Sequence, residues 1–333
     1  MKKDINQYFN DVIMPLIREK HPHTLDESSI IILGSVGLGI DDAISDVEAA
    51  IYLPDSIWQQ HGAQLQLDLN QCMVRYTNPW RQTGSIICVH PLSWVLNKQG
   101  EAILSGGDIS WDKITFESLY EIQSNLIVHD PSERLSKLRI KTAPVKMPES
   151  IWNKALFTAI QNFIIHGFGD LWMNLERKDR LAEFPIHLGT AVENLFRMGF
   201  YISRQYHPWK SHWRWALGHL PTPLAALGTK FDMLPTLSDW HKKMDVLEEI
   251  FNIYRKYMAE HAIFPEIDLS RMDIRPVDLD YLQEEIIWPE RLEAWENPGW
   301  RDFLAVRKDK AVKKGYPENE FWIWSLWGMD WDD

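Results

Sequence analysis

The chain predicts an α+β fold in two domains: a small mixed-sheet domain over residues 1–140, then a helical bundle over 141–333. Three observations carry this. A length of 333 residues exceeds one ordinary hydrophobic core. Short β-type runs broken by turns and helical stretches occupy the chain up to about residue 90. Beyond about residue 114 the apolar residues recur at the spacing of long helices, and mixed α/β followed by mostly α separates into two units.

The elements follow in order. Ile5, Tyr8, Phe9, Val12, Ile13, Leu16 and Ile17 fall at helical spacing over 4–20, and Pro22 stops that helix. SIIIL at 29–33 is a short strand of the buried type, and GSVGLG at 34–39 is a glycine-rich turn. VEAAIYL at 47–53 is the next strand, and Pro54 opens a helix through Trp58. Leu65, Leu67 and Leu69 alternate, which suggests a strand in 63–77. SIICVH at 85–90 is a third strand, followed by a short helix from Pro91. KTAPVKMP at 141–148 connects the two domains. Helices are expected at about 149–175, 185–205, 210–219 and 236–262; the remainder from 264 reads as short helices and irregular wrapping. No internal repeat is evident.

Composition narrows the function classes. Lys plus Arg is 35 against 47 for Asp plus Glu, a net charge of −12, which argues against a nucleic-acid binder with a basic face. The acidic balance leaves Mg²⁺-assisted chemistry open. Cys72 and Cys88 form no CxxC, so a reducing, cytoplasmic setting fits and a four-cysteine zinc site is excluded. No apolar run is long enough to span a bilayer, and the N-terminus lacks a signal core. Sequence motifs of common serine hydrolases, zincins and P-loop enzymes are absent. Of 17 tryptophans, four (Trp322, Trp324, Trp327 and Trp331) crowd the last dozen residues. A terminus that apolar is expected to dock, on its own domain or on a second copy of the chain.

The chemistry-bearing stretch is LGSVGLGIDDAISDVEAAIYL at 33–53. One strand ends at Gly34-Ser35; about ten residues later Asp46 and Glu48 open the next, with side chains on the same face. Two such carboxylates repel when both are charged, and a divalent cation relieves that while gaining oxygen ligands. The glycine turn lets a triphosphate approach backbone N–H groups, and Ser35 adds a hydroxyl.

A strand, Gly-Ser, then Asp-x-Asp/Glu resembles the DNA polymerase β-type nucleotidyltransferase superfamily. The form GSVGLG…SDVE is similar to its small-molecule branch, which includes the aminoglycoside adenylyltransferases. The resemblance implies that Ser35 binds nucleotide phosphate, with Gly34 and Ser45 beside it, and that Asp46 and Glu48 hold Mg²⁺. The second half looks like the helical C-terminal domain of a two-domain bacterial nucleotidyltransferase family of unknown function. The matching stretches are NLIVHD at 125–130, RKD at 177–179 and ENLFRMGFYISRQYHPW at 193–209. In that family's Tyr-x-Pro-aromatic signature, Lys210 here stands one place early and His212 takes the tryptophan position. Lys210 is expected to neutralise phosphate charge, and Tyr206 and Trp209 to line a cleft between the domains.

Active members of the superfamily usually add a third carboxylate from a later strand. The strand at 85–90 offers Cys88 and His90 and no acid, so His90 is a candidate general base. Asp68 is an alternative acid, and Asp179 or Glu193 from the helical domain can reach a substrate cleft. The implied reaction is Mg²⁺-dependent transfer of AMP from ATP to a hydroxyl of a small, aminoglycoside-like acceptor. The missing acid motivates the alternative of a degenerate member acting as a nucleotide-binding or antitoxin-like partner. An RNA, tRNA or protein acceptor is a third reading.

Overall fold

The computed structural model describes residues 5, 7–42, 45–75, 85–177 and 181–263. The chain is α+β. Before the sheet, a π-type turn at Phe9–Ile13 runs into α1 (Met14–Lys20), whose Ile17 is buried. Strand β1 (Ser29–Leu33) is buried at four successive positions, as an inner strand requires. Next come α2 (Gly34–Leu38), β2 (Val47–Leu53), α3 (Ala63–Arg75) and β3 (Ser85–Pro91). Helix α4 (Phe116–Ser124), capped by the Thr115 hydroxyl accepting from Ser118 N–H, leads into β4 (Leu126–His129), and α5 (Arg134–Lys141) follows. The sheet order is β3-β2-β1-β4. β1 pairs antiparallel with β2 and β4, and β2 pairs parallel with β3, so the sheet is mixed.

One face of the sheet makes the core of this first unit. Ile30, Ile32, Ala49, Ile51, Ile87 and Val89 alternate along their strands and pack with Phe9, Ile13, Ile17, Leu65 and Leu69. The edge strand β4 is tied down at its exit. Asp130 accepts from the Ser29 hydroxyl (2.7 Å), the Ser136 N–H (2.9 Å) and the Ser136 hydroxyl (2.8 Å). Those bonds, outweighing a burial effect of the opposite sign, hold its carboxyl below the usual range.

Three local expectations are corrected. The 34–39 stretch is a short helix, not an open turn: Gly34 at φ +61° lets the chain leave β1 directly into α2, and Gly39 at φ 72° closes it in the left-handed region. Residues 63–75 are helical, because Leu65 and Leu69 are buried four apart while Leu67 between them is 55% exposed. The NLIVHD stretch, which the resemblance links to the helical half, supplies strand β4 of the first unit.

Among the described residues, Tyr206–Trp213 groups with the chain up to Met147, and Pro148–Gln205 groups with the residues from Arg214 onward. The second group is helical: α6 (Glu149–Asn162), a π-type stretch Phe163–Gly169, α7 (Asp170–Arg177), α8 (Phe184–Ile202) and α9 (Trp240–Glu260). Its core sets the Phe163 and Phe251 rings 4.9 Å apart, and Gly167 admits α8, since a Cβ there would sit 2.7 Å from Ala191 Cα. Asp239 caps α9 by accepting from His241 N–H. No helix among the described residues is long and apolar enough to cross a membrane. The tryptophan-rich end and its expected docking lie outside the described residues.

Candidate functional site

The β1–β2 register sets the geometry. Leu33 pairs with Glu48, so the end of β1 and the start of β2 meet at one end of the two inner strands. Gly34-Ser35 therefore stands against Asp46-Glu48. The approach is close enough that a Cβ on Gly34 would lie 2.8 Å from Glu48 Oε2 and displace that carboxylate, and the positive φ itself favours glycine. Gly37 is constrained by space: a Cβ there would lie 2.1 Å from the Ile32 carbonyl oxygen and 2.7 Å from Asn125 Oδ1.

A cavity of about 430 Å³ opens over this end of the strands. Gly34, Ser35, Asp46 and Glu48 line it, joined by Tyr120, Glu121 and Asn125 from α4 and its end, and by Trp209 and His212. All of these residues belong to the first unit. The expectation placed Tyr206 and Trp209 on the helical domain. They group with the first unit instead, held to α4 and to the end of α5: the Tyr206 hydroxyl donates to Thr142 O at 2.9 Å, and the buried His207 ring stacks 5.6 Å from Phe116.

Burial raises the Glu48 carboxyl pKa, and the charge of Asp46 pushes the same way. Glu121 is raised by burial first and by the charges of Glu48 and Glu117, against the hydrogen bond it accepts from Trp209 Nε1 at 2.7 Å. Burial lowers His212, whose Nδ1 is 2.8 Å from Ser211 Oγ. The lining thus holds three carboxylates and no Lys or Arg. No cluster of three His, Cys, Asp or Glu side chains among the described residues is arranged as a metal cage. An anion with several charges would be repelled from such a lining unless cations accompany it. Asp46 and Glu48 suit Mg²⁺, which typically takes one or two carboxylates and completes its shell with water and substrate phosphate.

The other expected site residues are not brought to the cavity. The β2–β3 register pairs Tyr52 with His90, four positions along from the Glu48 pair, so His90 stands on the order of 13 Å down the strand. It stacks on Trp94 at 5.2 Å, and burial lowers its pKa. His90 as base is therefore set aside. Ser45 does not line the cavity; its hydroxyl donates to Asp42 Oδ1 at 2.7 Å, closing its own loop. Lys210 is exposed, with Nζ 5.8 Å from the Trp213 ring, and is not part of the lining. Tyr206 is buried and acts as an anchor rather than a lining residue. Asp68 accepts from His21 at 2.9 Å on α3. Glu193 pairs with Arg197 at 2.7 Å in the second unit. Asp179 lies outside the described residues.

Glu121 was not anticipated. One signal for it existed: Glu117 and Glu121 sit four apart on one helix face, a like-charge pair that destabilises an isolated helix unless something covers it.

A domain of unknown function, DUF4037, matches residues 111–214, which takes in α4, β4 and the 206–213 segment. The chain is similar to a nucleotidyltransferase-like protein from Exiguobacterium sibiricum 255-15, with 14% identity over 91% of this chain and 92% of that one and a TM-score of 0.37. No curated protein matches the chain.

Proposed function

We propose that the protein is a Mg²⁺-dependent nucleotidyltransferase that moves AMP from ATP to a hydroxyl of a small polyhydroxyl acceptor. The observation that carries this is the convergence of Gly34, Ser35, Asp46 and Glu48 in one cavity with a third carboxylate, Glu121. Asp46 and Glu48 would hold Mg²⁺, which when bound supplies charge neutralisation and orientation of the phosphates. Ser35 donates its hydroxyl to a phosphate oxygen, and Gly34 lets the backbone turn there with the Glu48 carboxylate close beside it. Glu121 takes the acceptor's hydroxyl proton. The acceptor oxygen bonds to the α-phosphorus, the bond from that phosphorus to the β-phosphate bridging oxygen breaks, and pyrophosphate leaves with the electron pair. Burial raises the pKa of the Glu121 carboxyl, which makes its carboxylate a stronger base than an exposed one.

The alternative of a nucleotide-binding module without chemistry rested on the lack of an acid on β3. Glu121, reaching the cavity from a helix, removes that motive and favours catalysis.

The test is incubation with Mg²⁺ and each labelled nucleoside triphosphate against a panel of polyhydroxyl metabolites. Asp46→Asn and Glu48→Gln should each lower transfer by at least about 100-fold while the fold persists by circular dichroism. Nucleotide binding with no turnover on any acceptor, or full activity in both variants, would sink the reading.

A further inference from the structure

Trp209 is 56% exposed, yet its indole N–H is fixed at 2.7 Å from Oε1 of the half-buried Glu121. More than half of the residue is left in water, so packing alone does not fix the indole in its place. Its surroundings, by contrast, are tightly held. On one side Tyr206 and His207 are buried, the first bonded to Thr142 O and the second stacked on Phe116. On the other, buried Trp213 donates to Pro208 O at 2.6 Å. The segment also matches α4 in spacing. His207 Nδ1 lies 3.7 Å from Glu117 Oε1, and Trp209 binds Glu121. Four residues of helix rise about 6 Å, and two of extended chain about 6.6 Å. Two aromatic residues two apart can thus meet two glutamates four apart, in register.

From this geometry we infer that Trp209 is a positioning residue for Glu121: its indole N–H holds one carboxylate oxygen in place on behalf of the proposed base. The inference rests on the nucleotidyltransferase reading for its catalytic consequence, but the contact itself can be read without any activity. The charged or titratable groups facing Glu121 are Glu48 and Tyr52 from β2 and Glu117 from its own helix; Asp46 and His212 share the cavity.

Two substitutions separate the possible roles. Trp209→Phe keeps a ring and loses the donor; Trp209→Gln keeps an N–H donor and loses the ring. Trp209→Phe should lower kcat by roughly 10- to 100-fold with KM for ATP changed less than about twofold, and Trp209→Gln should recover much of kcat. Normal kcat in Trp209→Phe with a raised KM for ATP in Trp209→Gln would overturn the inference and make the indole a stacking platform. A second arm uses ¹⁵N-tryptophan-labelled full-length protein, with the Trp209 indole resonance assigned by its loss in Trp209→Phe. Glu121→Gln should move that indole proton upfield and speed its exchange with water. An indole that ignores Glu121→Gln overturns the contact. If no variant and no wild-type protein transfers nucleotide while the indole does respond, the pairing stands and the proposed reaction is what fails.

Discussion

Gly34 shows how little freedom a single position in this site has. It sits at φ +61°, and its missing Cβ is the space that Glu48 Oε2 occupies. Gly34→Ala should cost about 1–2 kcal/mol from the left-handed backbone alone. It should also displace the Glu48 carboxylate from its present place, so Mg²⁺–ATP affinity should fall by more than the stability loss implies. Urea unfolding and calorimetric titration measure the two effects separately; unchanged affinity in a folded Gly34→Ala protein would mean that Glu48 does not depend on this contact. Glu121 teaches the complementary lesson. Its neighbours Leu119 and Ile122 carry the buried face of α4, and nothing local marks it out except the unpaired look of Glu117 and Glu121. Its partner Trp209 is 88 positions away in the chain. Residue-scale chemistry was legible where the partners were close in sequence and opaque where a distant segment supplied one of them.

At the scale of elements, hydrophobic periodicity placed β1, β2, β3 and the long helices of the second unit, because each buries a repeating face. It misread α3. Leu65, Leu67 and Leu69 satisfy a period of two as well as a partial helical stripe, and a run that short cannot be arbitrated by pattern. The structure buries Leu65 and Leu69 and exposes Leu67. Leu65→Ala should therefore cost about 2–5 kcal/mol and Leu67→Ala close to nothing. In a strand all three would share one face, so comparable losses at 65 and 67 would contradict the helix; denaturant midpoints decide it. Strand β4 escaped notice because it is four residues long, lies after the helical pattern has begun, and owes its place to pairing with β1 and to the Asp130 bonds.

At the scale of the whole molecule, an acidic chain of net charge −12 presents a cavity with three carboxylates and no Lys or Arg in its lining. Coulomb repulsion should therefore bar free ATP and admit the cation complex. With Mg²⁺–ATP at 100 times its Kd, ligand linkage should stabilise the folded protein by about 2.7 kcal/mol and raise its thermal midpoint. ATP with EDTA should leave the midpoint where it was; an equal shift without cation would show that the carboxylates are not the metal's holders.

By itself the sequence determined the α+β class, the two strands that flank the glycine-rich stretch and the pairing of Gly34-Ser35 with Asp46 and Glu48. Those follow from local periodicity and from residues within about twenty positions of each other. Only the tertiary structure decided what completes the cavity. It drew Tyr206–Trp213 out of the helical half and onto α4, carried His90 down the strand and away from the site, and set Glu121 beside Trp209. The reason is physical: side-chain burial and hydrogen bonding between segments far apart in the chain leave no periodic trace in either of them.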